Sequence, residues 1–309
     1  MIVVRTLLLK ASDNYWLREH GTKAPFVRRA VSRFMPGESF DDMIGAARAM
    51  AKEGVAAVFT RLGENVRDLA EAQAVARYYV EGIERIRDLN LACQPSIKLT
   101  QLGLDIDRGL AYEHLRSLAA PAHAAGNYLW IDMEQSSYVD VTLDLTRRLR
   151  EEFPGVGVCL QAYLYRTRED LVDLMGRGIG IRLVKGAYNE PAGVAFPKKS
   201  DVDANFYALA QVMLGAGARA AGGRAVFGTH DGPLIDAIRR HAAGTGVLPG
   251  EFEFHMLYGI QKSLQLRLAQ DGAVVRVLIA YGDYWFAWYM RRLAERPANV
   301  WFVAKSMVR

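Results

Sequence analysis

The sequence predicts an α/β fold, a (β/α)8 TIM barrel with N-terminal helices. Three observations carry that expectation. Eight short apolar runs recur along the chain. Helix-like stretches separate them, and eight such units in about 240 residues fit a closed barrel. The turn after the first run, RLGENV (61–66), lacks the Gly-rich phosphate motif that a doubly wound sheet usually carries there.

The runs, in order, are VAAVFT (55–60), SIKLT (96–100), YLWID (128–132), GVGVCLQ (155–161), IGIRLV (179–184), RAVFGTH (224–230), EFEFHML (251–257) and VVRVLIA (274–280). They are rich in Val, Ile, Leu and Phe and mostly lack polar alternation, as strands covered on both faces do. The expected helices start with an N-terminal arm over about 1–54, whose segment 35–54 has Ser39 or Asp41 as its cap. Next come 65–89, 107–126 with Gly126 as a stop, 137–155 ending in Pro-Gly, and 166–178 with Thr167 as the cap. Segments 201–220, 232–244, 259–272 and 285–300 complete the set. No repeat, low-complexity segment or linker interrupts the chain, so 1–309 reads as one domain.

Composition narrows the function classes. With 51% hydrophobic and 24% charged residues, the chain is neither disordered nor fibrous. Its 39 Lys+Arg against 34 Asp+Glu give a net charge of +5, scattered rather than gathered into a basic block with aromatics. No nucleic-acid partner is therefore expected. No run of apolar residues is long enough for a membrane-spanning helix, and the first residues lack the pattern of a signal peptide. Cys93 and Cys159 are the only cysteines and have no metal-ligand spacing. No metal is expected, and a reducing, cytoplasmic setting is.

In a barrel of this kind the active site gathers at the C-terminal ends of the strands. The expected exits carry Arg61 and Glu64, Lys98, Asp132 and Glu134, Gln161 and Tyr163, Arg182 and Lys185, Thr229 and His230, His255, and Tyr281. Any one of these could be a solvated rim charge or a turn cap; together they point to a polar site on an otherwise apolar barrel. In the last helical segment Trp288, Arg291, Arg292 and Glu295 fall at i, i+3, i+4 and i+7, on one face. Two guanidiniums beside a carboxylate complement a zwitterion, with the arginines on its carboxylate and Glu295 on its ammonium. The same face also suits an exposed helix laced by salt bridges.

These motifs resemble the proline dehydrogenase family, in its monofunctional bacterial form, which shares its barrel with the bifunctional proline-utilisation flavoproteins. The carrying segments are SIKLTQLGLDID (96–107), IDMEQSSYVD (131–140), LQAYLYRT (160–167), RLVKGAYNEP (182–191), FGTHD (227–231), EFEFHMLYGI (251–260) and MRRLAERPANV (290–300). The resemblance implies a distorted (β/α)8 barrel that binds FAD without a covalent link. It implies oxidation of L-proline to Δ1-pyrroline-5-carboxylate by hydride transfer to flavin N5, with electrons passed to a quinone. It also implies peripheral contact with the inner face of the membrane, and a pyrroline-5-carboxylate dehydrogenase as the downstream enzyme.

Carried over by position, the resemblance implies that Arg291 and Arg292 bind the substrate carboxylate and that Glu295 faces the amine. Lys98 lines the pocket and pairs with Asp132. Arg182 sits near flavin N5, and Gln161 bonds the isoalloxazine. Met133, Lys185, Gly186, Ala187, Thr229 and His230 line the cofactor site. Leu183, Tyr188 and Leu257 wall the pocket, and Glu64 acts as a gate carboxylate for Arg291. Asp132 and Arg182 are the implied catalytic pair.

The chain departs from the family pattern around the substrate. Leu278 and Trp288 stand where tyrosines are usual, His255 where Gln is usual, and Asn189 where a larger apolar residue is common. Losing a phenol at 278 removes a hydroxyl and a flat wall, which makes a hydroxylated or alkylated proline an alternative substrate. Other readings are a flavin-binding barrel without catalysis, a reductase of another imine, and an aldolase or hydro-lyase using Lys98 or Lys185 as a Schiff base.

Overall fold

The computed structural model describes residues 31–286. Its centre is a closed barrel of eight parallel strands that pair in sequence order, β1 to β8, with β8 returning to β1. They are β1 (Ala56–Arg61), β2 (Cys93–Ile97), β3 (Leu129–Ile131), β4 (Val156–Gln161), β5 (Gly180–Val184), β6 (Ala225–Gly228), β7 (Phe252–Leu257) and β8 (Val274–Tyr281). Helix α1 (Phe40–Lys52) precedes β1. Helices α2 (Leu69–Asp88), α3 (Arg108–Ala124), α4 (Val139–Glu152) and α5 (Thr167–Gly176) follow the first four strands in turn. Two helices, α6 (Lys199–Met213) and α7 (Ala216–Ala220), follow β5, then α8 (Gly232–Gly244) follows β6 and α9 (Lys262–Gln270) follows β7.

Within the described residues the expected elements are present, with three local corrections; residues 1–30 of the expected arm and nearly all of the expected helix over 285–300 lie outside them. The second strand runs over 93–97 rather than 96–100, and Leu99–Leu102 forms a short 3₁₀ turn. Its ladder stops because the Thr100 N–H is taken by the Glu134 carboxylate. The helix expected over 201–220 breaks before Gly215, which opens the short α7. Thr167 does not cap α5; its hydroxyl donates to the Gln161 carbonyl at 2.6 Å, and Arg166 occupies the cap position. Ser39 does cap α1, in a reciprocal pair with Asp42.

Strand alternation divides the molecule into two cores. Outward residues such as Ala57, Phe59, Leu129, Ile131 and Phe227 pack under the helices in one continuous apolar layer. Their inward neighbours Val58, Trp130 and Val226 form a small cluster inside the barrel, bordered by Tyr128 and Leu278. Period-two alternation of β-strands produces this division.

The interior is otherwise polar, and two large rings organise it. Tyr128 and Trp130 lie 4.9 Å apart between ring centres. Tyr128 donates to the Val156 carbonyl at 2.8 Å, and Trp130 donates to Gln94 Oε1 at 2.9 Å. Gly157 makes room for them: a Cβ there would come within 2.6 Å of Trp130 and 2.8 Å of the Gly180 carbonyl. Gly157→Ala is predicted to destabilise the barrel by about 1–3 kcal/mol, the usual range for overpacking. An unchanged urea midpoint would contradict this account of the interior.

Candidate active site

The strand exits converge on one buried arginine. Arg182, near the end of β5, is 4% exposed and projects into the barrel. Its Nε donates to Cys159 Sγ at 2.8 Å, and its Nη2 donates to Ser96 Oγ at 2.7 Å and to Asp132 Oδ1. Ser96 in turn donates to Asp132 Oδ1 at 2.9 Å, and the Cys159 thiol lies 3.6 Å from the same oxygen. Asp132 is positioned just beyond β3 by its own N–H, which donates to the Ile97 carbonyl at 2.8 Å. One charged pair therefore ties β2, β3, β4 and β5 together. Burial pushes the Cys159 thiol up to about 12, so it stays protonated. Arg182 Nη1 is buried and has no partner among the described residues.

A second group holds the loop after β1. Lys98 donates to Glu64 Oε2 at 3.2 Å and lies 3.4 Å from the Gly63 carbonyl. The expected Lys98–Asp132 pair does not form, because Asp132 is taken by Arg182, Ser96 and Cys159 while Lys98 turns to the loop after β1. Leu257 and Leu278 lie side by side in the β7–β8 register and are partly exposed. Leu278 also borders Val58, Trp130 and Val226. Trp288, Arg291, Arg292 and Glu295 lie outside the described residues.

A third group forms a shelf at the exits of β4, β5 and β6. Gln161 Nε2 donates to the Glu134 carbonyl at 3.2 Å, and its Oε1 is buried without a partner among the described residues. Lys185 donates to Asp203 at 2.5 Å and to Asp231 at 2.8 Å. Gly186 has φ +115°, and any Cβ there would run into the Tyr163 ring. Thr229 is buried, and its hydroxyl accepts from the Asp231 N–H at 3.2 Å. His230 Nε2 accepts from the Leu257 N–H at 2.8 Å, so its proton resides on Nδ1. Met133 is buried and Ala187 is exposed on the same rim.

Below these lies a charge cluster that the sequence reading did not anticipate. Glu253 accepts from Arg224 Nε at 2.7 Å and Arg276 Nε at 2.8 Å, with His255 Nε2 3.4 Å away. Burial acts against the Glu253 anion, but the His255 contact and the two guanidiniums outweigh it and hold the group at about 2. His255 is 4% exposed, and burial drives it down to about 3, so the ring is neutral. With Nε2–H on Glu253, Nδ1 is a buried acceptor without a partner among the described residues. Ser96, Cys159 and Glu253 were missed as site-supporting residues. Counting back two residues from Lys98, Gln161 and His255 on the same strand face would have found them.

The family model described as Proline dehydrogenase matches residues 43–305. The chain belongs to the proline dehydrogenase family. It is 36% identical over 307 residues to Proline dehydrogenase 1 of Bacillus subtilis subsp. natto, covering 99% of this chain and 100% of that protein. It is 38% identical over 284 residues to Proline dehydrogenase of Deinococcus radiodurans, covering 90% of both. Among solved structures, proline utilization A of Bdellovibrio bacteriovorus superposes with a TM-score of 0.81 at 23% identity, over 87% of this chain and 33% of that one. That likeness supports the fold, a (β/α)8 barrel. Proline dehydrogenases are flavin-dependent enzymes of proline catabolism.

Two measurements probe the buried charges. Asp132→Ala strands the Arg182 guanidinium and is expected to destabilise the protein by about 3–5 kcal/mol in urea unfolding, as loss of one partner of a buried pair does. A change below 1 kcal/mol, on the order of a surface pair, would overturn this assignment. His255 is depressed in the folded state, so its contribution is present above about 6.5, its ordinary value, and is lost as pH falls toward about 3. His255→Gln should flatten the acid side of the stability curve in that window; an unaltered slope contradicts a neutral buried ring.

Proposed function

We propose that this protein is an FAD-dependent L-proline dehydrogenase that forms Δ1-pyrroline-5-carboxylate and passes the electrons to a quinone. The observation that carries this reading is Arg182, held by Asp132, Ser96 and Cys159 at the barrel's C-terminal mouth with one buried donor left unused. The residues around it fit a flavin. Arg182 Nη1 offers a donor, while Gln161 Oε1 and His255 Nδ1 offer acceptors, all buried and without a partner among the described residues. Such a set complements a ring system with both N–H and carbonyl edges.

In this reading Arg182 and Gln161 hold the isoalloxazine. Met133, Lys185, Gly186, Ala187, Thr229 and His230 hold the rest of the cofactor. When bound, FAD supplies the hydride acceptor. A cation fixed beside that ring stabilises the negative charge it gains on reduction, and Asp132 keeps the cation oriented. The substrate loses a hydride from the ring carbon next to nitrogen and a proton from the amine, leaving a C=N bond. Arg291 and Arg292 clamp its carboxylate, Glu295 faces its amine, and Trp288 covers its ring. Holding the donor carbon within about 3–3.5 Å of its acceptor is the task of that clamp. Lys98, Leu257 and Leu278 wall the pocket, and Glu64 serves as its gate.

The domain reading is a single FAD-binding barrel over 1–309 with a helical arm over about 1–54. The proposed setting is cytoplasmic, with peripheral contact at the inner face of the membrane where a quinone is available. A pyrroline-5-carboxylate dehydrogenase is the downstream partner. Among the described residues no helix is long and apolar enough to cross a membrane.

A second reading rests on Leu278. It presents an aliphatic edge beside Leu257 and the Trp130 cluster, with no hydroxyl to meet the substrate ring. A hydroxylated or alkylated proline fits that wall as an alternative. Anaerobic absorbance titration of the purified protein separates the two. Bleaching of a yellow protein by L-proline, at lower concentration than by trans-4-hydroxy-L-proline, is the expected result. Bleaching by the hydroxylated compound alone would transfer the assignment to the alternative, and a colourless protein that binds no added FAD would end both.

A further inference from the structure

Glu134 is buried in the loop between β3 and α4, 3% exposed, and has no part in the proposed chemistry. Its hydrogen bonds reach both sides of the site. Thr100 N–H donates to Glu134 Oε1 at 3.2 Å, and the Thr100 hydroxyl is 2.6 Å from Oε2. That hydroxyl accepts from the Asn65 N–H at 3.1 Å and donates its single proton to the ionised Glu134. Both carboxylate oxygens are therefore acceptors. The Thr100 carbonyl accepts from the Val66 N–H at 3.0 Å. Asn65 stands at φ +58°, a conformation a non-glycine residue keeps only where its surroundings hold it. Glu64, immediately before it, is thereby aimed at Lys98. On the other side the Glu134 main-chain carbonyl accepts from Gln161 Nε2, which leaves Gln161 Oε1 without a partner among the described residues.

We propose that Glu134 is a positioning residue that, through Thr100, latches the Glu64-bearing loop over the substrate side and at the same time orients Gln161 on the cofactor side. The assignment of those two sides rests on the function proposed above. The latch itself rests on the bonds alone. It needs two acceptors at Glu134, because Thr100 presents two donors. A glutamine at 134 would set its NH2 against one of them with almost no change in size. Valine at 100 keeps the shape and removes the hydroxyl that bridges Asn65 to Glu134.

The latch also responds to pH. Burial pushes the Glu134 carboxyl up to about 7, against the Thr100 bonds and the Lys98 charge, which favour the anion. The charged and titratable groups facing it are Lys98, Glu64 and, on its own loop, Tyr138. The anion accepts both Thr100 donors, so the latch is tight above about 7 and loosens as pH falls below it.

Hydrogen exchange at single-residue resolution on the purified full chain, without substrate, tests this directly. In Glu134→Gln and in Thr100→Val the Asn65 and Val66 amides should exchange about tenfold faster, the effect of losing one or two ordinary hydrogen bonds. The Leu62 amide, which donates to the Tyr281 carbonyl at 2.8 Å, should keep its protection. After correction for intrinsic rates, wild-type protection at Asn65 and Val66 should fall as pH drops through about 7. In Glu134→Gln it should be flat. The KM for L-proline should rise more than kcat falls. Unmoved Asn65 and Val66 amides in both variants, or equal acceleration at Leu62, would overturn the latch. Flavin bleaching by proline is read separately: intact bleaching with unmoved amides sinks the latch alone, and moved amides without bleaching sink the function alone.

Discussion

The barrel depends on keeping a guanidinium charged in its interior. Arg182 could not be buried there without a counter-ion and near-complete hydrogen bonding, since an unpaired buried charge is worth several kcal/mol against the fold. Asp132 supplies the charge, and Ser96 and Cys159 occupy the remaining directions. Each partner comes from a different strand region, so the charge can be satisfied only when β2 to β5 are in register. A polar requirement thus reinforces the strand alignment that apolar packing prefers. It also leaves Nη1 without a partner among the described residues.

The lower interior repeats this solution with opposite emphasis. There one carboxylate, Glu253, serves two guanidiniums, Arg224 and Arg276. Trp130 and Tyr128 lie between the two charged layers. The Arg182 guanidinium is 5.2 Å from the Trp130 ring centre, and the Arg224 guanidinium is 4.6 Å from the Tyr128 ring centre. Aromatic faces are attractive to cations, so the rings stabilise both layers while excluding water between them. His255 touches both systems: its Nε2 faces Glu253, and its ring meets Trp130 edge-on. A neutral imidazole suits that position, because a cation there would add a third positive charge beside Glu253. The barrel interior therefore combines layered polar side chains with a small apolar cluster of Val58, Trp130 and Val226, and the larger apolar core lies outside the sheet.

The identity and order of the strands were legible in the sequence because strand periodicity is local. Runs such as IGIRLV and EFEFHML show both their extent and which end carries polar residues. Helix capping at Ser39 was legible for the same reason. Strand two was misplaced because its end is set by a distant group, the Glu134 carboxylate. Pro95 within it disguised its beginning. Facing β3 just ahead of the first β2–β3 pair at Ser96–Trp130, it removes a donor where that ladder has not yet begun.

By itself the sequence determined that eight strands close around a polar mouth and which side chains stand at each exit. Arg182, Asp132, Lys98, Gln161 and Glu64 were all recognisable as site candidates from their positions alone. Only the tertiary structure decided how they pair. Lys98 turns to Glu64 rather than to Asp132, Cys159 joins the arginine network while staying in the buried core, and Glu134 becomes the hub between two loops. The physical reason is that partners across a barrel depend on strand tilt and stagger, which bring residues dozens of positions apart to within hydrogen-bond reach. Sequence spacing records which face of a strand a residue occupies, but not which residue it will meet.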